Sequence, residues 1–491
     1  MNAAISRVAV FALVLMGALI VATTYWQAWA APGLNDRKEN AIQRVAQFTI
    51  ERGRIYASDG RTVLAENRTQ RVSGKTLYFR RYPQRGLAAH VVGYSTQVRF
   101  RTGLEQSLND FLTGANANLA TVLDTTLDKL KGTHVTGNDV VLTLDARAQR
   151  VALNALGPRC GAAVALDPQS GAVLVMASSP TYDPNLAEEH FNRINRRARA
   201  QCVRPDPLFN RATAGAFVPG STFKVVTASA ALESGHWNMR STFVDPGYCE
   251  EYGKRVNNFD TSSPFGTVTL HQAVQYSINS VFCNIGKTLG PAPIVEQMKD
   301  FGFYSLPPLE TPAGERRISG LYKKGRPFEP TDSTQVDPGR LAFGQAELQV
   351  TPMQMAMAVA AIGNRGVLMR PHVVDRVVSP AGKTVTRTKK EALGNVMSAP
   401  NASELTAAME DVVRAGTGTN AQIPGVRIAG KTGTAETGVE GRNMTAFVCF
   451  APVGAPRVAI AVMLENQTGV GGTTAAPIAK QVLEALLRRG P

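Results

Sequence analysis

The run Ala162-Ala163-Val164-Ala165-Leu166-Asp167-Pro168-Gln169-Ser170-Gly171-Ala172-Val173-Leu174-Val175-Met176-Ala177 reads as a hairpin. Two apolar arms, 162–166 and 172–177, flank five turn residues, which is the pattern of paired strands. Far downstream, residues 427–434, 446–452 and 458–464 read as three more strands with Gly-rich connections, and a closing helix covers about 475–489. Just upstream, Val140-Val141-Leu142-Thr143-Leu144 leads to Asp145, a natural N-cap for a helix that ends before Gly157. A mostly helical stretch of about 240 residues separates the two sets of strands. Two strands, a helical mass, three strands and a helix make one large mixed α+β domain.

The composition bounds the rest. The chain has 491 residues, is 44% hydrophobic and 19% charged, and carries a net charge of +15. A disordered chain has fewer apolar residues for its charge. At roughly 100–200 residues per domain, the length holds two to four domains. Only one stretch suits a bilayer. After Met1–Arg7, residues 8–31 carry no charge, and about 20 residues suffice to cross. Arg7 before the stretch favours a cytoplasmic N-terminus, and Tyr25, Trp26 and Trp29 suit the far interface. A cleaved signal peptide competes, because Ala28-Trp29-Ala30 resembles a processing site, but the apolar run exceeds the usual ~7–15 residues. On either reading residues 32–491 lie outside the cytoplasm. Residues 32–140 are polar and punctuated by glycines, as in an extended β-rich module.

That compartment permits disulfides. Cys160, Cys202, Cys249, Cys283 and Cys449 cannot all pair, and Cys449 lies in an apolar strand where a buried free thiol is expected. A bridge from Cys283 toward the region of Cys160 would brace the chain near Ser277-Ile278-Asn279. Two basic clusters stand out: Arg193, Arg196, Arg197, Arg199, Arg204 and Arg211, then Arg316, Arg317, Lys323, Lys324 and Arg326. Either they are solvated loops, or they meet anionic lipid, wall polymer or a pyrophosphate-bearing substrate. Nucleic acid is in the wrong compartment. The six histidines are scattered and no HExxH or CxxC occurs, so a zinc site has no support.

Three short motifs carry chemistry. In Pro219-Gly220-Ser221-Thr222-Phe223-Lys224, a helix is expected over 221–234, stopped by Gly235. Ser221 would sit at its N-terminus and Lys224 on the same face. A desolvated lysine can take the proton of a hydroxyl. In Ser277-Ile278-Asn279, two helix-like runs meet, the first with a Thr269/Gln272 capping box and the second ended by Gly290. There Ser277 would relay a proton, while Asn279 would hold a substrate amide and fix the lysine. In Lys431-Thr432-Gly433-Thr434, side chains alternate along a strand. Gly433 opens room for another backbone, so an extended peptide can lie alongside. Lys431, Thr432 and Thr434 suit a terminal carboxylate. Each motif alone is common in a chain of this length.

In order they are not common: S-x-x-K, S-x-N 56 residues later and K-T-G-T 154 beyond form a recognised serine acyl-enzyme set. Here the chain resembles the class B penicillin-binding proteins, and within them the small penicillin-binding protein A type. Arg52-Gly53-Arg54-Ile55, Asp59-Gly60, Gly103-Leu104-Glu105, Asp167-Pro168, Tyr182-Asp183-Pro184-Asn185, Asn210-Arg211, Gly344-Gln345 and Thr351-Pro352 are also similar. One departure is Ala446-Phe447, where the family often has Trp-Phe; it bears on packing rather than chemistry.

The resemblance implies an antiparallel five-stranded sheet with helices on both faces, an all-helical subdomain and an extended β-rich N-terminal module. It divides the chain into a cytoplasmic tail (1–7), a single transmembrane anchor (8–30), a pedestal or dimerisation-like module (31–138) and a transpeptidase domain (139–491) outside a bacterial cell membrane. It implies a D-alanyl-D-alanine transpeptidase, with possible carboxypeptidase side activity, that uses no metal or cofactor. Ser221 would attack the penultimate D-Ala carbonyl of a peptidoglycan stem peptide, Lys224 would act as base, Ser277 would relay a proton and Asn279 would position the amide. The N–H groups of Ser221 and Thr434 would form the oxyanion hole. Lys431, Thr432, Gly433 and Thr434 would hold the substrate. β-Lactams would acylate the same serine. The implied partners are a separate membrane glycosyltransferase and division or elongation proteins.

A β-lactamase or penicillin sensor on the same fold, and a non-catalytic division scaffold, are the alternatives. The only E-x-x-L-N, Glu105 to Asn109, precedes Ser221 by 116 residues, so a structural Glu105 is expected. Seven residues before the anchor leave no room for a cytoplasmic signalling domain. About 110 residues between anchor and transpeptidase are too few for a bifunctional class A enzyme.

Overall fold

The computed structural model describes residues 2–25, 48–72, 75–97, 100–115, 136–196, 202, 204–259, 263–330, 332–437 and 439–488. Its centre is a five-stranded antiparallel sheet in the order Ala429–Glu436, Asn443–Ala451, Val458–Gln467, Gly161–Leu166, Val173–Ser179. The expected hairpin is the far edge pair. Alternation along each strand sends side chains to two faces, and both faces are buried. Ala163, Ala165, Phe447, Val462 and Leu464 pack with helices Ala146–Leu156 and Gly471–Leu487. Ala162, Val164, Val448, Phe450 and Ala461 pack with helix Pro352–Gly363, which is buried on every side. Covered strands of this kind read as nearly continuous apolar runs. Asp145 caps its helix as expected, accepting from Arg147 N and Ala148 N at 2.9 Å.

The departure from the family pattern has a place in this packing. Ala446 pairs with Gly433 across the sheet and is buried. Gly471 packs behind it, and a Cβ there would lie 2.3 Å from Ala446 O and 2.4 Å from Gly433 O. Backbones meet closely at this point, and the small side chain of Ala446 fits beside them.

The long insertion between the two sets of strands carries the expected helices. It also contains short strand pairs, among them Tyr248–Glu251 with Lys254–Asn257 and Thr242–Asp245 with Gly266–Thr269. Strands Val374–Val378 and Thr384–Arg387, from late in the insertion, extend a second sheet. Its order is Thr384–Arg387, Val374–Val378, Asp139–Leu142, Ile55–Tyr56, Val63–Val72, Lys75–Arg81. The N-terminal module and the following domain therefore share a sheet. Its register brings Arg52 to Glu105. Arg52 Nη2 lies 2.9 Å and Arg80 Nε 2.6 Å from the Glu105 carboxylate, with all three side chains almost fully buried. Glu105 is thus a structural ion-pair partner, as expected. Gly53 follows because Asn138 passes so near that a Cβ would sit 1.8 Å from its carbonyl oxygen.

The apolar N-terminal helix runs Asn2–Thr24, starting earlier than the charge-free stretch, and its described side chains are exposed. Trp26, Trp29 and the Ala28-Trp29-Ala30 site lie outside the described residues. The cysteine expectation is corrected in part. Cys283 pairs with Cys249 and Cys160 with Cys202, while Cys449 is free and buried. Strand Tyr248–Glu251 packs on helix Asn279–Leu289 and brings Cys249, rather than Cys160, to Cys283. The first basic cluster disperses: Arg211 is buried against Glu465 at 3.1 Å, and Arg204 stacks on Phe209. Arg197 and Arg199 lie outside the described residues. In the second, Arg316 and Arg317 bond to Pro307 O and Gln349, leaving Lys323, Lys324 and Arg326 on an exposed turn.

Candidate active site

Pro219-Gly220 opens the first motif. Gly220 takes a φ of +53°, and an added Cβ would lie 2.8 Å from Thr434 O. From the facing strand, a Cβ on Gly433 would lie 2.6 Å from Pro219 O. The turn and the strand Ala429–Glu436 thus touch backbone to backbone, which glycine on both sides permits. Ser221 lies in a 3₁₀ turn, Gly220–Phe223, and the α-helix begins only at Lys224. This corrects the expected helix start at Ser221. Side chains three apart eclipse in a 3₁₀ turn, and Lys224 follows Ser221 by three residues at the end of this turn.

Ser277 sits between helices Leu270–Gln275 and Asn279–Leu289 with a φ of +61°. A left-handed conformation is strained for a residue with a Cβ. Here it directs both the carbonyl and the hydroxyl of Ser277 to the buried lysines. Lys224 Nζ donates to Ser277 O and Asn279 Oδ1, each at 2.7 Å, and lies 3.3 Å from Ser277 Oγ. Lys431 Nζ donates to the same Ser277 Oγ at 2.8 Å and to Thr432 O at 3.2 Å. Asn279 is oriented in turn by donating from Nδ2 to Asn257 O at 3.0 Å. All three motifs therefore converge on one hydroxyl.

Both amines are fully buried. Burial holds Lys224 well below the ordinary lysine range, and the charge of Lys431 lowers it further. Burial brings Lys431 down to about 7. Two amines around one oxygen favour a single positive charge between them. A neutral Lys224 has two N–H bonds and one lone pair. The two 2.7 Å contacts use the N–H bonds, which leaves the lone pair to accept a hydroxyl proton.

Among the described residues the Ser221 hydroxyl has no hydrogen bond. It opens onto a cavity of about 320 Å³ that Asn279, Thr432 and Thr434 also line. Phe259, Phe265 and Tyr276 form an aromatic side of it, with Phe265 stacked on Tyr276 at 5.3 Å. No carboxylate lines the cavity among the described residues. Sequence reasoning missed Thr417, Val470 and Gly472, which line it too. The glycines of Gly416-Thr417-Gly418 and Gly471-Gly472 were the available signal, since paired glycines mark close backbone approach.

The chain is similar to known proteins over most of its length. Residues 161–484 match the penicillin binding protein transpeptidase domain, and residues 52–140 match the penicillin binding protein A dimerisation domain. Peptidoglycan D,D-transpeptidase PbpA of Mycolicibacterium smegmatis is 32% identical, with 100% of both chains covered. The ceftriaxone acyl-enzyme of penicillin-binding protein A from M. tuberculosis superposes with a TM-score of 0.80 at 29% identity, covering 90% of this chain and 100% of that one. Pseudomonas aeruginosa PBP2 superposes with a TM-score of 0.71 at 29% identity, covering 90% of this chain and 97% of that one.

Proposed function

The chain belongs to the class B penicillin-binding proteins and is a peptidoglycan D,D-transpeptidase, and we propose that Ser221 is the residue it acylates. The observation that carries this reading is the meeting of Lys224, Ser277, Asn279 and Lys431 around one hydroxyl, beside a serine that opens onto the cavity.

The geometry supports the following steps. Lys224, neutral by burial, takes the Ser221 proton while Ser221 Oγ attacks the penultimate D-Ala carbonyl of a stem peptide. Hydroxyl activation by an adjacent base is the general solution for a serine nucleophile. The N–H groups of Ser221 and Thr434 receive the developing oxyanion, a contribution of about 3–4 kcal/mol per donor. The contact of Gly220 with Thr434 supports that pairing. Ser277 carries a proton from Lys224 toward the leaving D-Ala nitrogen, and Lys431 donates to Ser277 Oγ throughout. Asn279 holds the substrate amide. Lys431, Thr432 and Thr434 hold the terminal carboxylate, and Gly433 lets the substrate backbone approach the strand. An amine of a neighbouring stem then resolves the acyl-enzyme into a cross-link. Water does so slowly as a carboxypeptidase side reaction, because no carboxylate lines the cavity among the described residues. β-Lactams acylate the same serine.

In the same reading, residues 1–7 are cytoplasmic, 8–30 anchor the chain, 31–138 form the pedestal and 139–491 the catalytic domain outside the bacterial membrane. The candidate span, Ser6–Thr24, supports the anchor. A separate membrane glycosyltransferase supplies the glycan strands, and division or elongation proteins position the enzyme. The test is D-Ala release from a stem pentapeptide with an amine acceptor present. The wild type is expected to release D-Ala and form the cross-linked product, and Ser221→Ala to do neither. Product formation by Ser221→Ala would refute the assignment.

A further inference from the structure

The carboxylate-binding end of the cavity holds a hydroxyl that none of the three motifs includes. Thr417 Oγ1 lies 2.6 Å from Thr432 Oγ1. The segment carrying it is wedged between motif-bearing elements. A Cβ on Gly416 would lie 2.6 Å from Gln275 O, at the end of the helix before Ser277. A Cβ on Gly472 would lie 2.4 Å from Thr417 O, at the start of the last helix. Thr417 is thus held by main-chain contacts while its side chain faces the cavity.

A hydroxyl has one proton to give and two lone pairs to accept with. Gly471 N donates to Thr434 Oγ1 at 3.1 Å, which leaves the Thr434 proton free for a ligand. Thr417 and Thr432 share one bond, so one proton of that pair is also free. The cavity then offers two hydroxyl protons beside the cationic Lys431, matching two carboxylate oxygens. We infer that Thr417 is a positioning residue of this subsite: it donates to Thr432 and so aims the Thr432 proton at the substrate carboxylate. Donation in series also strengthens the outer bond. The inference rests on the reading of Lys431, Thr432 and Thr434 as the carboxylate subsite.

The test compares acylation rates for benzylpenicillin and its methyl ester, in the full-length protein. Thr417→Val keeps the shape and removes the donor. It is expected to slow acylation by the free acid about tenfold, the scale of one charge-assisted hydrogen bond, and to leave the ester rate nearly unchanged. Thr417→Ser is expected to restore the preference for the acid. Equal losses for acid and ester in Thr417→Val, with no rescue by serine, would overturn the inference. Thr432→Val separates the two levels. If it lowers the acid-to-ester ratio and Thr417→Val does not, the inference fails and the subsite stands; if neither lowers it, the subsite reading fails. Should Thr417→Val not fold, Thr417→Ala carries the same comparison.

Discussion

Lys431 and Ser277 are joined by a 2.8 Å hydrogen bond from the lysine Nζ to the serine hydroxyl oxygen. The bond spans 154 residues of chain and ties the sheet edge to the inter-helix break. It also sets the charge of the site, because Lys224 reaches the same oxygen at 3.3 Å. Burial depresses both amines, Lys224 the more strongly. Raising the pH first neutralises Lys224 and switches the base on. Above about pH 7 Lys431 loses its proton, and with it the proposed carboxylate subsite loses its cation. Acylation by benzylpenicillin is therefore expected to follow a bell in pH with a falling limb near 7. Lys431→Ala should lower the rate and abolish that limb. Lys224→Ala should cost about 10²–10⁴-fold at the top of the bell and remove its rising limb. A falling limb that survives in Lys431→Ala would assign it to another group.

Gly433→Ala is a geometric test. The new methyl would lie 2.6 Å from Pro219 O and 3.1 Å from Thr222 N, so the strand and the nucleophile turn must part. A displacement of about 1 Å at a reacting centre costs about 100-fold. Stopped-flow acylation should show a loss of that order with little change in circular dichroism. A rate within threefold of wild type would show that the two backbones need not touch.

Much of this site was legible in the chain. The catalytic strands announced themselves as apolar runs, because both faces of the sheet are covered. The three motifs kept their order, and the second and third fell on an inter-helix break and a strand as expected, while the first opens on a 3₁₀ turn rather than at the helix start. What escaped was non-local. Nothing in residues 374–387 says that they extend the sheet of the N-terminal module. The 3₁₀ turn under Ser221 lies against Thr434, a neighbour far away in sequence. Thr417 belongs to none of the three motifs, and its place comes from Gly472 against its carbonyl and Gln275 against the neighbouring Gly416.

The Cys249–Cys283 bridge joins the hairpin that orients Asn279 to the helix that Asn279 begins. Asn279 Nδ2 donates to Asn257 O, and Cys249 lies on the paired strand. Closing 34 residues of chain stabilises the fold by about 3–4 kcal/mol in the chain-entropy model. The double variant Cys249→Ser, Cys283→Ser should lose that much in urea unfolding. It should also acylate more slowly, since Asn279 is less firmly held. An unchanged acylation rate would make the bridge purely a matter of stability.

Glu105 gives a prediction about the N-terminal module. Burial pushes its carboxyl up, but Arg80 and Arg52 together outweigh that and leave it below the usual value. Its contribution is therefore present above the unfolded value of about 4.3 and is lost as pH falls through the lower native one. Glu105→Gln leaves two buried guanidinium groups without a counter-charge, a cost of about 3–5 kcal/mol. Denaturant titration should show the loss at neutral pH, shrinking as the wild type is acidified. The penicillin adduct of Glu105→Gln should last as long as that of wild type. A lengthened lifetime would make Glu105 a deacylating base.

The central claim is that Ser221 is the acylated nucleophile of a slowly deacylating transpeptidase. Intact-mass spectrometry after mixing with benzylpenicillin, followed over hours, tests it directly. The wild type is expected to gain the mass of one intact penicillin, mapped to the peptide containing Ser221, and to hold it. Ser221→Ala is expected to gain nothing. An adduct that persists in Ser221→Ala, or rapid turnover of the antibiotic by the wild type, would contradict the account.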